Sequence, residues 1–590
     1  MPQKLAIAIS GAVSLGSYES GVMYEVIEAI AQHNEAIDND STLSAQEKDQ
    51  KKIEIDVITG ASAGAMTACI LTQKLLFDAD ALRHPYDNSL YRPWVNDVDI
   101  QKLLKLNIQA GDNPNQSILS SALIAEVGQT HVLNRYSAGV PSQRQRHPAA
   151  AASIQLGLAM SNLNGFDYTV PLTDFPDMSN ADQPTSAKFT YTCHKDRLTC
   201  TIQATAANDT LQLWKTLELA ARSSGAFPFA FRTLGIDRQG NDATYSGSDL
   251  RPTSMYSFTY TDGGVFENEP LGMAKQLVNQ IDEDHLHHDN RFYLYVAPGA
   301  KASSANQLFN SSQATYINTA RALTGAIFTQ ARFQDWIVTG QINEAVRMFD
   351  ERAIGLRDFF ADEFLQQDGS EQTKQVVNSV TEQLLHRLYP TAEDAQQQQD
   401  DHDRLRKQFD SDYTELTRRL ASRTDADEIA SIWLNAVQAL EKAAELGERD
   451  VMRVYAITSQ DVDLAGERLF AFGGFFDRRF RDFDYNVGRR KATHFLQQLQ
   501  ALHQHGNGEG QLYLTHFVAG QDLPEQPENL GNVDLQDVPR DIRVSVKNQL
   551  IDRLKRIIES LETRIWVRWL LQFSLWIFVS KHLDKLLELE

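Results

Sequence analysis

Apolar residues along the chain change their spacing several times, and each change marks an element. Residues 4–10 form a short continuous apolar run closed by glycine, the pattern of a strand buried on both faces. Residues 18–32 follow with Val22, Met23, Val26, Ile27 and Ile30 at helical spacing, and a second apolar run occupies 53–59. Strand, helix, strand is the repeating unit of a parallel sheet. A helix opening at Ser62 carries Ala65, Met66, Ala68, Cys69, Leu71 and Leu75. Mixed short patterns over about 78–150 predict a cap inserted over the sheet. Strands are expected at 154–161, 189–194 and 198–204, the last two joined as a hairpin through Lys195 and Asp196. A helix at 211–223, a strand near 255–260, a helix near 271–281 and a strand at 291–297 complete an α/β domain over 1–300.

Beyond residue 300 the pattern becomes long and helical, so 301–450 is expected to be mainly α-helical. Inside it, 392–403 contains four successive glutamines, Gln396 to Gln399, and reads as a linker or exposed turn. Residues 451–537 read as an extension of the first domain, with a strand at 451–459, ending in an acidic, proline-bearing linker at 521–537. Amphipathic helices are expected over 538–590.

Length changes the picture little: 590 residues exceed what a single core organises, so more than one domain is expected. Charge changes it more. The net −22 repels phosphate, and no nucleic-acid partner is expected. Three cysteines are too few to staple a secreted scaffold, which favours reduced thiols and a cytoplasmic protein, although Cys193 and Cys200 would face each other if the hairpin forms. The apolar start of the chain reads as a first strand rather than a leader peptide.

Three segments carry candidate chemistry. Gly60-Ala61-Ser62-Ala63-Gly64 matches G-x-S-x-G at a predicted strand-to-helix turn, where small residues let the backbone fold tightly and leave the Ser62 hydroxyl at a helix N-terminus. A capping serine on a glycine-rich helix start is the bland alternative. A serine nucleophile needs a base. Asp262, at the end of a strand and before Gly263 and Gly264, is the first candidate, against a plain solvated Asp-Gly turn. The turn of Gly11, Ala12 and Val13 after the first strand can aim backbone N–H groups at an oxyanion.

Taken together, residues 4–300 resemble the patatin-like phospholipase family. The resemblance rests on the Gly11 turn, the Ser62 motif, Asp262-Gly263-Gly264 followed by Asn268 and Pro270, and the small-residue block Ala221-Arg222-Ser223-Ser224-Gly225-Ala226-Phe227-Pro228. It implies a three-layer domain with a mainly parallel central sheet and a Ser-Asp dyad, Ser62 and Asp262, without histidine. It further implies an oxyanion site at Gly11, Ala12 and Val13, a phospholipid or lysophospholipid substrate, and no metal or organic cofactor. The chain departs from the family's usual glycine run at Ala12 and Val13, and Leu15 stands where a Lys or Arg is usual. That cation's part in binding an anionic head group is therefore missing.

Two alternatives stand beside this reading. An α/β-hydrolase triad would recruit His285, His287 or His288 downstream of Asp262, in a charged segment that otherwise reads as a solvated loop. A non-catalytic, membrane-associated protein on the same fold is the other. Residues 464–490 are rich in Phe and Arg and read either as a packing segment or as a lipid-facing one. In the tail, 543–563 shows an apolar stripe among basic residues, and 565–579 is apolar nearly all round but shorter than the ~20 residues a membrane helix needs. The tail is expected either to lie at a membrane surface, with Arg553, Lys555 and Arg556 meeting lipid phosphate, or to dock on the protein.

Overall fold

The computed structural model describes all residues except 140, 142, 177–185, 283–289, 300–315, 366–369, 445–451, 460–462, 468–471, 506–509, 521, 525–535, 537, 562–582, 585–586, 588 and 590. Two compact units emerge: one of 1–278, 292–335 and 454–590, the other of 279–291 and 336–453.

The first unit is built on an eight-stranded mixed sheet in the order β5-β6-β3-β2-β1-β7-β8, with β4 paired to β3. Its strands are β1 (Gln3–Ile9), β2 (Ile53–Gly60), β3 (Ala150–Pro176), β4 (Ser186–Gln203), β5 (Leu234–Gln239), β6 (Met255–Thr261), β7 (Arg291–Ala297) and β8 (Val454–Thr458). β1–β2, β2–β3 and β7–β8 pair in parallel, whereas β3–β4, β3–β6 and β5–β6 are antiparallel. β1, β2 and β7 are buried on both faces along most of their length because helices cover both sides of the sheet. Those helices are α1 (Gly16–Asn39), the short α2 (Ala45–Lys51), α3 (Ala63–Phe77), α4 (Ile100–Leu104), α5 (Ser121–Gly128), α6 (Leu211–Ser224) and α7 (Leu271–Ile281). Among the described residues, 78–149 hold short helical pieces and one isolated bridge, Asp78 to Gln145, between α3 and β3.

The predicted hairpin at Lys195 and Asp196 does not form. β4 runs unbroken from Ser186 to Gln203, with Lys195 opposite Ser161 and Asp196 opposite Met160 on β3. Asp196 is buried and accepts hydrogen bonds from Asn162, Tyr245 and Tyr260, so the polar residue that suggested a turn is an inward-facing strand position. Cys193 and Cys200 consequently share one strand, opposite Phe166 and Leu156, and both thiols are free.

The second unit contains α8 (Tyr316–Leu365) from its residue 336 onward, α9 (Ser370–Leu388), α10 (Ala392–Gln408), α11 (Asp410–Arg419) and α12 (Ala426–Ala443). Its core gathers Phe349, Phe360, Phe364, Phe409 and Leu434 around Trp433, whose indole donates to the Ala353 carbonyl at 3.1 Å. The expected linker at 392–403 is instead the body of α10. Thr391 and Asp394 form a reciprocal capping box at its start, and Gln396 and Gln399 reach Asp400 and Asp403 one turn on. Polar composition misleads here because glutamine is a good helix former, and one face needs only Leu405 to join the core.

Back in the first unit, α13 (Arg478–Gln504) lies across α1. Gly21 on α1 abuts the Tyr485 carbonyl and Gly488 on α13 abuts the Tyr18 carbonyl, so a Cβ at either position would collide with backbone. Arg489 and Glu25 form an ion pair at 2.7 Å in this interface, 1% and 2% exposed. Phe475, Phe476, Phe480, Phe483, Arg481 and Arg489 are all buried, so most of the described aromatic and basic stretch packs inside the protein, whereas Arg478 and Arg479 are exposed. α14 (Arg540–Leu561) also docks on this unit: Arg553 is buried and donates to the Leu104 carbonyl at 2.7 Å. Arg553 is therefore not available to lipid phosphate. Residues 565–579 lie outside the described residues, as does nearly all of 521–537.

Candidate active site

β2 ends at Gly60 and α3 begins at Ala63, which leaves Ser62 at a sharp turn with φ 52° and ψ −123°. The left-handed region costs a non-glycine residue about 1–3 kcal/mol and persists only where surroundings fix it. Here they do. A Cβ on Gly60 would strike the Gly64 carbonyl, and one on Gly64 would strike the carbonyls of Ser10 and Ile9, so the motif glycines let α3 start against the end of β1. The Ser62 N–H donates to Ser224 Oγ at 2.8 Å.

Asp262 comes directly after β6, which β3 alone separates from β2 in the sheet. Ser62 Oγ donates to Asp262 Oδ2 at 2.6 Å, and the Gly264 N–H donates to Asp262 Oδ1 at 2.7 Å. The Asp262 N–H is tied to the Ala226 carbonyl at 3.0 Å, and Gly263 sits where a Cβ would meet the Ala159 carbonyl. Ser62 is 6% and Asp262 1% exposed. Burial pushes the Asp262 carboxyl up to about 7, while the hydrogen bonds from Ser62 and Gly264 pull the other way and limit the rise. Among the described residues no histidine hydrogen-bonds to either side chain; His285, His287 and His288 lie outside them.

The third predicted segment abuts the first two. Gly11 faces Ser62 and Asn268 so closely that a Cβ would overlap Asn268 Oδ1, and its N–H donates to the Asn268 carbonyl at 3.0 Å. Val13 adopts φ 52°, a conformation that β-branched residues avoid. The loop thus keeps a glycine-like backbone at Val13. Behind it, the Gly474 N–H donates to Ser14 Oγ at 3.2 Å, so a segment more than 400 residues away buttresses the turn.

Beside Ser62 opens a pocket of about 790 Å³, its mouth included. Val13, Met66, Trp94, Val127, Phe231 and Phe475 are among its walls, and the lining is almost wholly apolar. Glu218 and Arg222 are the charged exceptions, and they are paired with each other. Among the described residues no group of three or more His, Cys, Asp or Glu is placed to hold a metal ion. No helix among them is long and apolar enough to cross a membrane.

Comparison with known proteins now bears on this arrangement. The description "Patatin-like phospholipase" belongs to a family whose model matches residues 7–275. Residues 7–275 form a patatin-like phospholipase domain. A curated relative, the uncharacterised protein y4iI of Sinorhizobium fredii, is 26% identical over 327 residues, which cover 46% of this chain and 45% of the relative. The chain therefore spans under half the length of that relative. The crystal structure of VipD from Legionella pneumophila aligns over 100% of this chain and 88% of that one, at 10% identity and a TM-score of 0.21, too low to bear on the fold.

Within the patatin-like domain, the structure brings together all three segments singled out from the sequence. What sequence reasoning passed over is the support around them. Ser224, in the small-residue segment 221–228, accepts the Ser62 N–H. Trp94 and Phe475 come from the insertion and the distant C-terminal region, and only the folded chain places them at the pocket.

Proposed function

We propose that this protein is a serine acyl hydrolase acting on lipid esters through Ser62 and Asp262. The observation that carries the reading is the 2.6 Å hydrogen bond from a strained, buried serine to a buried carboxylate held near neutrality. Asp262 accepts the Ser62 proton as Oγ attacks the ester carbonyl. The protonated Asp262 then returns that proton to the leaving alcohol, and the same carboxylate activates water to release the acyl group. With the Gly11 N–H given to Asn268, the developing oxyanion is assigned to the N–H groups of Ala12 and Val13. An apolar pocket beside the nucleophile suits a fatty acyl chain, and phospholipid or lysophospholipid is the substrate class of the family.

A panel of phospholipids, lysophospholipids and neutral glycerides, run with wild type and Ser62→Ala, tests the reading. Release of fatty acid by wild type alone is expected, with a rate that rises with pH and levels off above about 7 as Asp262 deprotonates. Equal, weak fluorophosphonate labelling of wild type and Ser62→Ala would leave the non-catalytic alternative standing.

A further inference from the structure

The turn 227–231 presents one large side chain to water for no benefit that the folded chain itself receives. Phe229 is 84% exposed and adopts φ 67°, although its neighbours Phe227 and Phe231 both line the pocket beside Ser62. The turn is not loose. Ile118 N–H donates to the Phe229 carbonyl at 3.0 Å, Leu119 N–H to the Ala230 carbonyl at 2.8 Å, and Arg232 N–H to Ser121 Oγ at 3.0 Å. Among the described residues nothing covers this ring, and an aromatic side chain held outward on a disfavoured backbone points to an intermolecular role.

The surroundings extend the feature. Arg232 Nη1 donates to the Gly111 carbonyl at 2.9 Å, tying the turn to the 107–112 loop, where Ile108 is 58% exposed. Ile124 and Val127, on α5, are half-buried and line the same pocket. Cations accompany these apolar groups: half-buried Arg232, exposed Lys105, and half-buried Lys555 on α14, which packs against α4. Asp112, the nearest acid on these loops, is buried with its carboxylate engaged by Ser120, the Asn107 N–H and the Ala122 N–H. On α14, exposed Arg556 is balanced by its partner Asp552. On a chain of −22, an apolar rim where Arg232, Lys105 and Lys555 outnumber exposed Glu126 on α5 is complementary to an anionic lipid surface.

We infer that the Phe229 turn and the Ile108 loop form the membrane-docking rim of the pocket, seating it on the surface of anionic phospholipid. The apolar side chains enter the head-group boundary while exposed Lys105 meets lipid phosphate. A lipid can then pass from bilayer to pocket past Phe227 and Phe231 without its acyl chain crossing water. The inference rests on the lipid hydrolase reading for its purpose, and its binding test does not require activity.

Phe229→Asn is the variant of choice, because asparagine tolerates the left-handed backbone and so preserves the turn while removing the ring. Co-sedimentation with vesicles of phosphatidylcholine and phosphatidylglycerol is measured in the full chain carrying Ser62→Ala, with and without Phe229→Asn. Partitioning is expected to fall about tenfold, the scale of withdrawing one aromatic side chain from an apolar phase, and both proteins should bind pure phosphatidylcholine more weakly than the mixture. With Ser62 intact, Phe229→Asn should lose a similar factor on vesicular substrate and keep hydrolysis of a short soluble ester within about twofold. Unchanged partitioning would overturn the inference, as would parallel losses on both substrates or a loss of self-association in place of vesicle binding. Complete inactivity of wild type with the partitioning difference intact would sink the hydrolase reading and leave the docking rim.

Discussion

In the sheet-based unit, Glu25, Asp196, Glu218, Asp262 and Asp484 all have their carboxyl groups raised by burial, Asp262 to about 7 and Asp484 to about 8. In the helical unit, the shifts of Asp358, Asp394, Glu415 and Asp425 all run downward, driven by hydrogen bonds from Arg, Lys or Thr side chains near the surface. The sheet unit also carries lowered, hydrogen-bonded acids, Asp40, Glu47 and Asp87 among them, so what sets it apart is the added group of raised, buried ones. Where helices pack on one another, an apolar core around Trp433 suffices, and the charges that are buried, Lys374 and Glu441, are ion-paired with Asp425 and Arg404. In the sheet unit carboxylates are drawn inside, Glu25 and Glu218 against arginines and Asp262 and Asp484 against backbone N–H groups. Asp484 accepts from Ala465 and Gly466 at 2.7 and 2.9 Å, and Asp262 from Gly264. A raised carboxyl is a cost to stability at neutral pH. At Asp262 that cost coincides with a candidate general base, the pairing expected where stability is given up for reactivity.

Breaking the comparison at Asp262 should produce the largest effect. Asp262→Asn keeps an acceptor for the Gly264 N–H and a group opposite Ser62 Oγ, yet cannot take a proton. Turnover is expected to fall ~10³-fold or more, while stability at pH 8 rises, by up to about 4 kcal/mol for three pKa units of relieved burial. Ester hydrolysis and thermal unfolding on one preparation decide it: lost activity with a lower melting temperature would mean that Asp262 is structural.

In the helical unit the sensitive point is packing. Trp433 is fully buried, and Trp433→Ala should destabilise that unit by about 3–5 kcal/mol. Fluorophosphonate labelling at Ser62 at 25 °C should be retained. Loss of labelling along with the helical melt would show that the nucleophile depends on the helical unit.

Next in size is the response to pH. Asp262 and Asp484 bind protons in the folded state that the unfolded chain has released, so their contribution falls as pH rises from about 4 towards 7 and 8. His33 and His147, held down to about 4 by burial, act oppositely between about 4 and 6.5 and offset that trend there. Above pH 6.5 the acids dominate. The sheet unit should lose about 2 kcal/mol between pH 6.5 and 8, and denaturant unfolding at those two values checks it.

These contrasts also explain what the sequence made legible. Gly60, Ser62, Gly64, Asp262 and Gly263 could be read because each is demanded by a local backbone event, a strand end meeting a tight turn, that leaves its mark within five residues. The β1–α1–β2–α3 run was legible from periodicity for the same reason. Three features were not. Asp196 looked like a turn because its three hydrogen-bond partners, Asn162, Tyr245 and Tyr260, lie 34 to 64 residues away. The 392–403 segment looked like a linker because a surface helix capped by Thr391 needs very little apolar surface. The long-range support of the Gly11 turn by Gly474, and of α1 by α13, depends on glycine contacts whose partners lie hundreds of residues apart. The motif's own geometry is local, whereas its support is global.

The smallest expected effect lies at Glu415, and it tests whether the helical unit's lowered carboxylates matter to its stability. Glu415 accepts from Arg418 at 2.7 and 2.8 Å and from Arg419 at 3.0 Å, and these bonds pull its carboxyl down to about 2. By linkage, a lowered folded-state pKa contributes stability above the unfolded value near 4.5 that is lost as pH falls towards 2. Yet Arg418 is 71% exposed, so water and salt screen the pair, and ordering two long side chains offsets much of the attraction. Glu415→Gln should therefore leave the melting temperature at pH 7 essentially unchanged, and the difference should not grow when salt is lowered. A clear drop that deepens at low ionic strength would mean that the surface network is a real source of stability in the helical unit, and the contrast with the buried acids of the sheet unit would then be one of sign alone.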